Sequence, residues 1–412
     1  MKIALLGNSF ISWGGGVDFL RNVANALLSQ KQETNMELFL LIPEKNKLVE
    51  KIKNVLRPWR DMGEDVLNGR NPKYKKVVSL DKSLILNSFK NIEGDMEIIV
   101  YRDSPGGLIS CLEKIGANVV IPSATSLGRD FPIPWVGYIF DFQHKYYPNF
   151  FTKEVCHQRD VAFNTMLTDA TAIIVNAQTV KDDIIRFFPE TNCEVFNLPF
   201  APTPISYWFD IPKEDLSLKY ALPEKYFIMC NQFWVHKSHI TAFEALKYFR
   251  DQTGMDVSIV CTGNTFDIRF PNYFCELQKK ITELGIEKEV MFLGFIPKAD
   301  QIQIMRKSLA VLQPTLFEGG PGGGAVYDAV AMGVPAVVSD IPVNKEIINE
   351  DAVAFFKTGS SIDMTDQMRR VIQLRNELSV NESELFDKGQ VRCQALGERL
   401  LQAIHYVLEE SE

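Results

Sequence analysis

Long apolar runs are missing from this 412-residue chain. None approaches the ~18 residues needed to cross a bilayer, so no membrane-spanning helix is expected. Basic residues are scarce: 44 Lys and Arg against 52 Asp and Glu give a net charge of −8. That balance argues against nucleic acid as the main partner. There are only five histidines and seven cysteines. The cysteines (Cys111, Cys156, Cys193, Cys230, Cys261, Cys275, Cys393) are scattered singly. No pair has metal-ligand spacing, so no metal site is expected, and the odd number fits a reducing compartment. The start of the chain does not read as a secretory leader, because Lys2 leads into four apolar or small residues before Gly7 and the polar Asn8-Ser9. The expectation is a cytoplasmic globular protein.

The chain is too long for a single core, and its 46% hydrophobic and 23% charged residues suit a globular protein of two domains. Short apolar runs at residues 3–6, 38–42, 98–101, 119–121, 136–139 and 172–175 read as buried strands. Helical patterns lie between them, at 17–28 after the glycines 14–16 and at 179–187. Residues 45–92 are charged and irregular. Residues 197–212 carry four prolines and read as a linker. A second alternation follows: strands at 226–229, 257–261, 290–293, 309–312 and 336–338, and helices at 239–249 and 273–284. Alternating strands and helices predict parallel sheets covered on both faces. The expected domains are 1–200 and 213–385, with a last amphipathic helix within 386–412.

The densest signal lies in residues 313–340, QPTLFEGGPGGGAVYDAVAMGVPAVVSD. Glu318 follows an apolar strand. Five glycines (Gly319, Gly320, Gly322, Gly323, Gly324) surround Pro321, and a helix opens with Asp328 in its first turns. Glycines let backbone amides approach a ligand closely. A helix N-terminus favours an anion such as phosphate, and a carboxylate on each side suits the hydroxyls of a sugar or ribose. A tight strand–turn–helix connection would use the same glycines, but the flanking acids have no packing purpose. Residues 230–239, CNQFWVHKSH, place Lys237 before a helix, where a cation is disfavoured unless an anion is bound. A solvated lysine is the plain alternative. Residues 135–148, WVGYIFDFQHKYYP, end a strand with Asp141, Gln143 and His144. Gly263 and Phe295 sit at two further strand ends. Ligands of open parallel sheets bind at such ends.

Together these segments resemble the family 4 retaining glycosyltransferases of GT-B architecture: two Rossmann-like, doubly wound α/β domains facing across a cleft. Glu318-Gly319 and the run from Asp328 through Ala329, Ala331, Gly333 and Pro335 to Val337 resemble the family's signature. Two departures stand out. The second acid is Asp where the family has Glu, and the acids are ten positions apart where the family has eight. The resemblance implies that Glu318 contacts the transferred sugar and Asp328 the ribose. It implies that Lys237 and the amides of Gly322, Gly323 and Gly324 hold the diphosphate, and that His144 lies near the reacting carbon. Gly14, Gly15 and Gly16 would close over the diphosphate, while Gly263 and Phe295 would border the nucleotide. Gln232 stands where the family has Arg, and His236, His239 and Arg306 are candidates to supply the missing charge. The last helix is expected to cross back to the first domain.

The reading is therefore a retaining transfer of a hexose, with mannose the guess from similarity to bacterial polysaccharide mannosyltransferases. The donor is a GDP- or UDP-linked sugar and the acceptor a glycan or lipid-linked saccharide, with no metal or other cofactor. The basic stretch KNKLVEKIKNVLRPWR at 45–60 suits an anionic membrane surface or an ordinary solvated helix. Two alternatives stand beside this: a nucleotide-sugar 2-epimerase of the same fold, and a non-catalytic nucleotide-sugar-binding protein, for which Gln232 and Asp328 would be signs of a degenerate site.

Overall fold

The computed structural model describes residues 1–12, 14–31, 35–44, 89, 92, 95–210, 216–377 and 381–411. Thirteen strands form two parallel sheets among these residues. The first sheet holds β1 (Lys2–Leu6), β2 (Glu37–Glu44), β3 (Met96–Arg102), β4 (Val119–Ser123), β5 (Trp135–Tyr138), β6 (Ala172–Val175) and β7 (Glu194–Asn197), in the order β3-β2-β1-β4-β5-β6-β7. The second holds β8 (Tyr226–Cys230), β9 (Ser258–Thr262), β10 (Val290–Gly294), β11 (Val311–Gln313), β12 (Ala336–Ser339) and β13 (Val353–Phe356), in the order β10-β9-β8-β11-β12-β13.

Both sheets are covered on both faces, so side chains alternate between two cores. Ile3 and Leu5 point into one core and Ala4 and Leu6 into the other. Phe227 and Met229 part from Tyr226 and Ile228 in the same way. This explains why the strands read as continuous apolar runs. In each sheet the strand order reverses once, between β1 and β4 and between β8 and β11. A crevice opens at the carboxyl ends of such a pair, where ligands of doubly wound sheets bind.

Helix α1 (Gly14–Ser29) follows β1. The glycines 14–16 form its first turn; they are not a loop ahead of it, because the apolar spacing of Val17, Leu20, Ala24 and Leu27 carries the helix. First-turn amides have no partner inside a helix in any case. Helix α2 (Pro105–Ile115) is capped by Ser104, α3 (Lys153–Asp169) by Thr152, and α4 (Gln178–Phe187) lacks a cap from its own chain neighbour Ala177. The second domain carries α5 (His239–Thr253), α6 (Tyr273–Leu284), α7 (Lys298–Lys307), α8 (Gly323–Ala331) and α9 (Ser361–Glu377). The last helix, α10 (Glu382–Glu409), buries Leu396, Leu400, Ile404 and Val407 in the first domain's core beside α1. The connecting residues 198–206 are irregular and lead into a helical turn, Tyr207–Asp210, whose Trp208 is buried. The basic stretch 45–60 lies outside the described residues.

Candidate active site at the second sheet's switch point

Strands β8 and β11 end side by side, and each ends in a polar group. Asn231, just past β8, donates through Nδ2 to Oε1 of Gln313, the last residue of β11, at 2.7 Å. Gln313 in turn donates through Nε2 to Glu318 Oε1 at 2.9 Å. The same carboxylate oxygen pairs with the Lys237 ammonium, and both side chains are largely buried. Lys237 closes a short helical turn, Val235–Lys237, held by Ser238 in the left-handed region at φ 48°. The anion that accounts for this lysine is thus Glu318, from a segment 81 residues later in the chain. An ammonium has three N–H groups, so Lys237 keeps donors for a second anion. Glu318 Oε2 is left facing Gly323, whose hypothetical Cβ would lie 3.2 Å from it.

The glycine loop completes this wall. Gly322 and Gly323 have φ of 68° and 62°, a conformation open to glycine at little cost. The Gly322 amide is already taken: it donates to Asn344 Oδ1 at 2.8 Å, while Asn344 Nδ2 donates to the Ser339 carbonyl at 2.9 Å. Of the three amides expected to hold phosphate, those of Gly323 and Gly324 remain, as first-turn donors of α8. Upstream, the loop meets the first domain. A Cβ on Gly319 would stand 2.3 Å from the Phe140 carbonyl oxygen, and one on Gly320 3.1 Å from Asn176 Cβ. The Tyr147 hydroxyl donates to the Leu316 carbonyl at 3.2 Å.

Asp328 lies buried in α8 and pairs with Lys298, the first residue of α7. Lys298 also reaches Asp18 of α1 at 3.5 Å, and Asp18 binds Arg21 at 3.0 Å. Burial pushes the Asp328 carboxyl upward against the pull of Lys298. Asp18 is held low, because Lys298 and Arg21 together outweigh its desolvation. The Lys298 ammonium is raised, since the two carboxylates outweigh its own desolvation. The expected ribose carboxylate is therefore occupied on one oxygen by a lysine absent from the sequence reading. A signal for it existed: like Lys237, Lys298 is a cation at the start of a helix.

Other expected residues take varied places. His144 is 2% exposed, and its Nε2 binds Asp160 Oδ1 at 2.8 Å inside the first domain, among the rings of Phe142, Phe151 and Phe163. Its Nδ1 is buried without a partner, and burial lowers its pKa against the bond to Asp160. No described hydrogen bond joins it to Lys237 or Glu318. Gln232 is exposed beside Asn231. The expectation that His236 or His239 adds positive charge is corrected: burial, with Lys237 beside them, drives His236 down to about 2 and His239 to about 3, so both are neutral. Arg306 is also excluded, since it donates to the Trp208 carbonyl and stacks on Phe209. A nearer cation is Arg269, forked onto Asp267, stacked on Trp234 and Phe151, and 3.4 Å from Gln143 Oε1 across the cleft. Gly263 has φ 127° and passes so close to the Asn231 carbonyl that a Cβ would lie 2.2 Å away. Phe295 is 84% exposed at the end of β10.

This wall can hold an anion at Lys237 and the α8 amides and a hydroxyl at Glu318, a few ångströms apart. Among the described residues no group of three or more His, Cys, Asp or Glu is placed to hold a metal ion, and no helix is long and apolar enough to cross a membrane. Two parallel α/β domains meeting at such a crevice define the GT-B architecture. Residues 211–384, the domain that carries the glycine loop, match the family described as Glycosyl transferases group 1. A curated relative, the O-antigen chain mannosyltransferase RfbU of Salmonella typhimurium, is 25% identical over 215 residues, covering 52% of this chain and 54% of the relative. The chain thus spans about half the length of that relative. Among solved structures, sucrose-phosphate synthase from Thermosynechococcus elongatus superposes with a TM-score of 0.59 at 12% identity, over 98% of each chain. The Anabaena protein HepE, solved in complex with UDP-glucose, superposes with a TM-score of 0.57 at 14% identity, over 100% of this chain and 99% of that one. At those identities the superpositions establish the fold.

Proposed function

We propose that the protein is a retaining, metal-independent glycosyltransferase that moves a hexose from a nucleoside diphosphate sugar to a saccharide or lipid-linked acceptor in surface polysaccharide synthesis. The observation that carries this is the meeting of Glu318 and Lys237 at the second sheet's switch point, beside the free amides of α8. A diphosphate placed there is neutralised by the Lys237 ammonium and the Gly323 and Gly324 amides, and the attached sugar offers a hydroxyl to Glu318 Oε2. In the reaction the bond from the anomeric carbon to the diphosphate oxygen breaks. The acceptor oxygen bonds the same carbon on the same face, and its proton passes to the departing phosphate. Most of the catalysis in this reading is electrostatic stabilisation of that leaving group. Closure of the domains excludes water.

The mannosyltransferase relative supports mannose, and HepE's complex supports a UDP-linked donor; GDP-mannose and UDP-glucose are accordingly the first donors to test. The expected result is a rise in melting temperature with one of them, and sugar transfer that Glu318→Ala and Lys237→Ala each abolish. Full activity in either variant would overturn the site. The protein is proposed to work in the cytoplasm, where nucleotide sugars are made available to such enzymes.

A further inference from the structure

The pair Lys298–Asp328 is one half of a longer chain of charges. Lys298 lies a third exposed between two carboxylates from opposite domains: Asp328 of α8 and, at 3.5 Å, Asp18 of α1. Asp18 is braced from behind by Arg21 at 3.0 Å. Each domain contributes one acid and one base, so each half is neutral alone, and the Lys298–Asp18 contact is what joins the two halves. Its floor is the buried ring of Trp208, in the segment that joins the domains: the Arg21 guanidinium lies 5.6 Å and the Lys298 ammonium 5.8 Å from the ring centroid. The first domain, the second domain and their connection meet at one lysine.

Resting on the glycosyltransferase reading, we propose that Lys298 is a positioning residue that couples cleft closure to the orientation of Asp328 at the nucleotide side of the site. With the domains together, Lys298 is drawn toward Asp18 and holds one oxygen of Asp328, leaving the other directed for a ribose hydroxyl. With the domains apart, Lys298 loses its second acid and Asp328 is oriented by one flexible side chain alone. Asp18 stands one turn along the same helix that begins with Gly14, so its pull also fixes the first turn of α1 against the second domain.

Three variants separate the parts. Asp18→Asn cuts the bridge at the domain boundary and leaves Lys298–Asp328 intact. Lys298→Met removes the ammonium while keeping the side chain's length, and Lys298→Arg restores the charge. Small-angle X-ray scattering of the ligand-free proteins reads closure. Calorimetric titration with UDP and with GDP reads the nucleotide side, and turnover reads the outcome. Asp18→Asn is expected to enlarge the radius of gyration and, through the less firmly held Asp328, to weaken UDP or GDP binding about fivefold, within the range usual for coupled sites, with a fall in kcat. Lys298→Met is expected to enlarge the radius and weaken nucleotide binding as well, and Lys298→Arg to recover most of both. An Asp18→Asn protein with unchanged scattering overturns the proposal, as does a Lys298→Met protein with unchanged nucleotide affinity. If the unaltered protein binds neither nucleotide and transfers no sugar, the glycosyltransferase reading fails, while the scattering comparison still decides the bridge.

Discussion

At the scale of single residues, the site depends on a few charges whose environments can be tested one at a time. Lys237→Met removes the ammonium expected to face the leaving diphosphate. Loss of one such electrostatic stabiliser typically lowers kcat by about 10²–10³, so single-turnover rates should fall by that order with the fold intact by circular dichroism. Gly323→Ala tests the loop. At φ 62° a Cβ is strained and would press to 3.2 Å from the Glu318 carboxylate, so a cost of about 1–2 kcal/mol is expected in denaturant melts, together with lost activity. His239 gives a pH prediction. It is fully buried, stacked on Phe233 with centroids 4.3 Å apart, and neither ring nitrogen has a partner. With a folded pKa near 3 against an ordinary 6.5, it refuses a proton that the unfolded chain accepts. Its contribution is whole above pH 6.5 and is lost as pH falls toward 3, by about 1.4 kcal/mol per unit. His236, lowered to about 2, adds the same slope. Melting temperature should drop steeply from pH 7 to 5, and His239→Phe should flatten part of that drop. A flat profile in the unaltered protein would contradict the assignment.

At the scale of elements, the two domains hold each other through groups that neither could satisfy alone. Helix α4 of the first domain lacks a side-chain cap of its own, and Glu346 of the second domain supplies one. Its carboxylate accepts from the Gln178 amide at 2.8 Å and the Thr179 amide at 2.7 Å. Loss of an N-cap costs about 0.5–2 kcal/mol, so Glu346→Ala should lower stability by that amount and speed proteolysis at the domain boundary, while a variant with unchanged melting would show the contact to be incidental. Much at this scale could be read from the chain. The apolar runs located most of the strands because parallel strands are buried on both faces. Strands β7 and β13 were missed, since Glu194–Asn197 and Val353–Phe356 each follow a polar stretch without a distinct signal of their own. The start of α1 was placed too late because glycine marks loops and first turns alike. Glu318 and Lys237 were visible as acids and bases beside a glycine loop. Asn231, Gln313 and Asn344, which orient that loop and its acid, were not, because a buried amide carries no pattern along the chain. The cap from Glu346 is likewise set by tertiary contact alone.

At the scale of the whole molecule, the cleft is closed by glycine against carbonyl, by aromatic rings, and by charges shared across it. The glycine loop after Glu318 touches the first domain, with Gly319 against Phe140 and Gly320 against Asn176. Phe317 lies between the rings of Tyr146 and Tyr147, at 5.6 and 6.2 Å. Replacing Phe317 with Ala should remove that packing and raise the donor KM without changing the affinity of the isolated nucleotide, a split that steady-state kinetics and titration would reveal. The central claim is that the second sheet's switch point holds a diphosphate by one ammonium and the amides of α8, and the attached hexose by one carboxylate. Crystals soaked separately with GDP-mannose and UDP-glucose test it most directly. Diphosphate density within hydrogen-bonding distance of Lys237 Nζ and the Gly323 and Gly324 amides, with the sugar at Glu318, is the predicted result. Donor density outside the cleft, with this wall left bare, would contradict it.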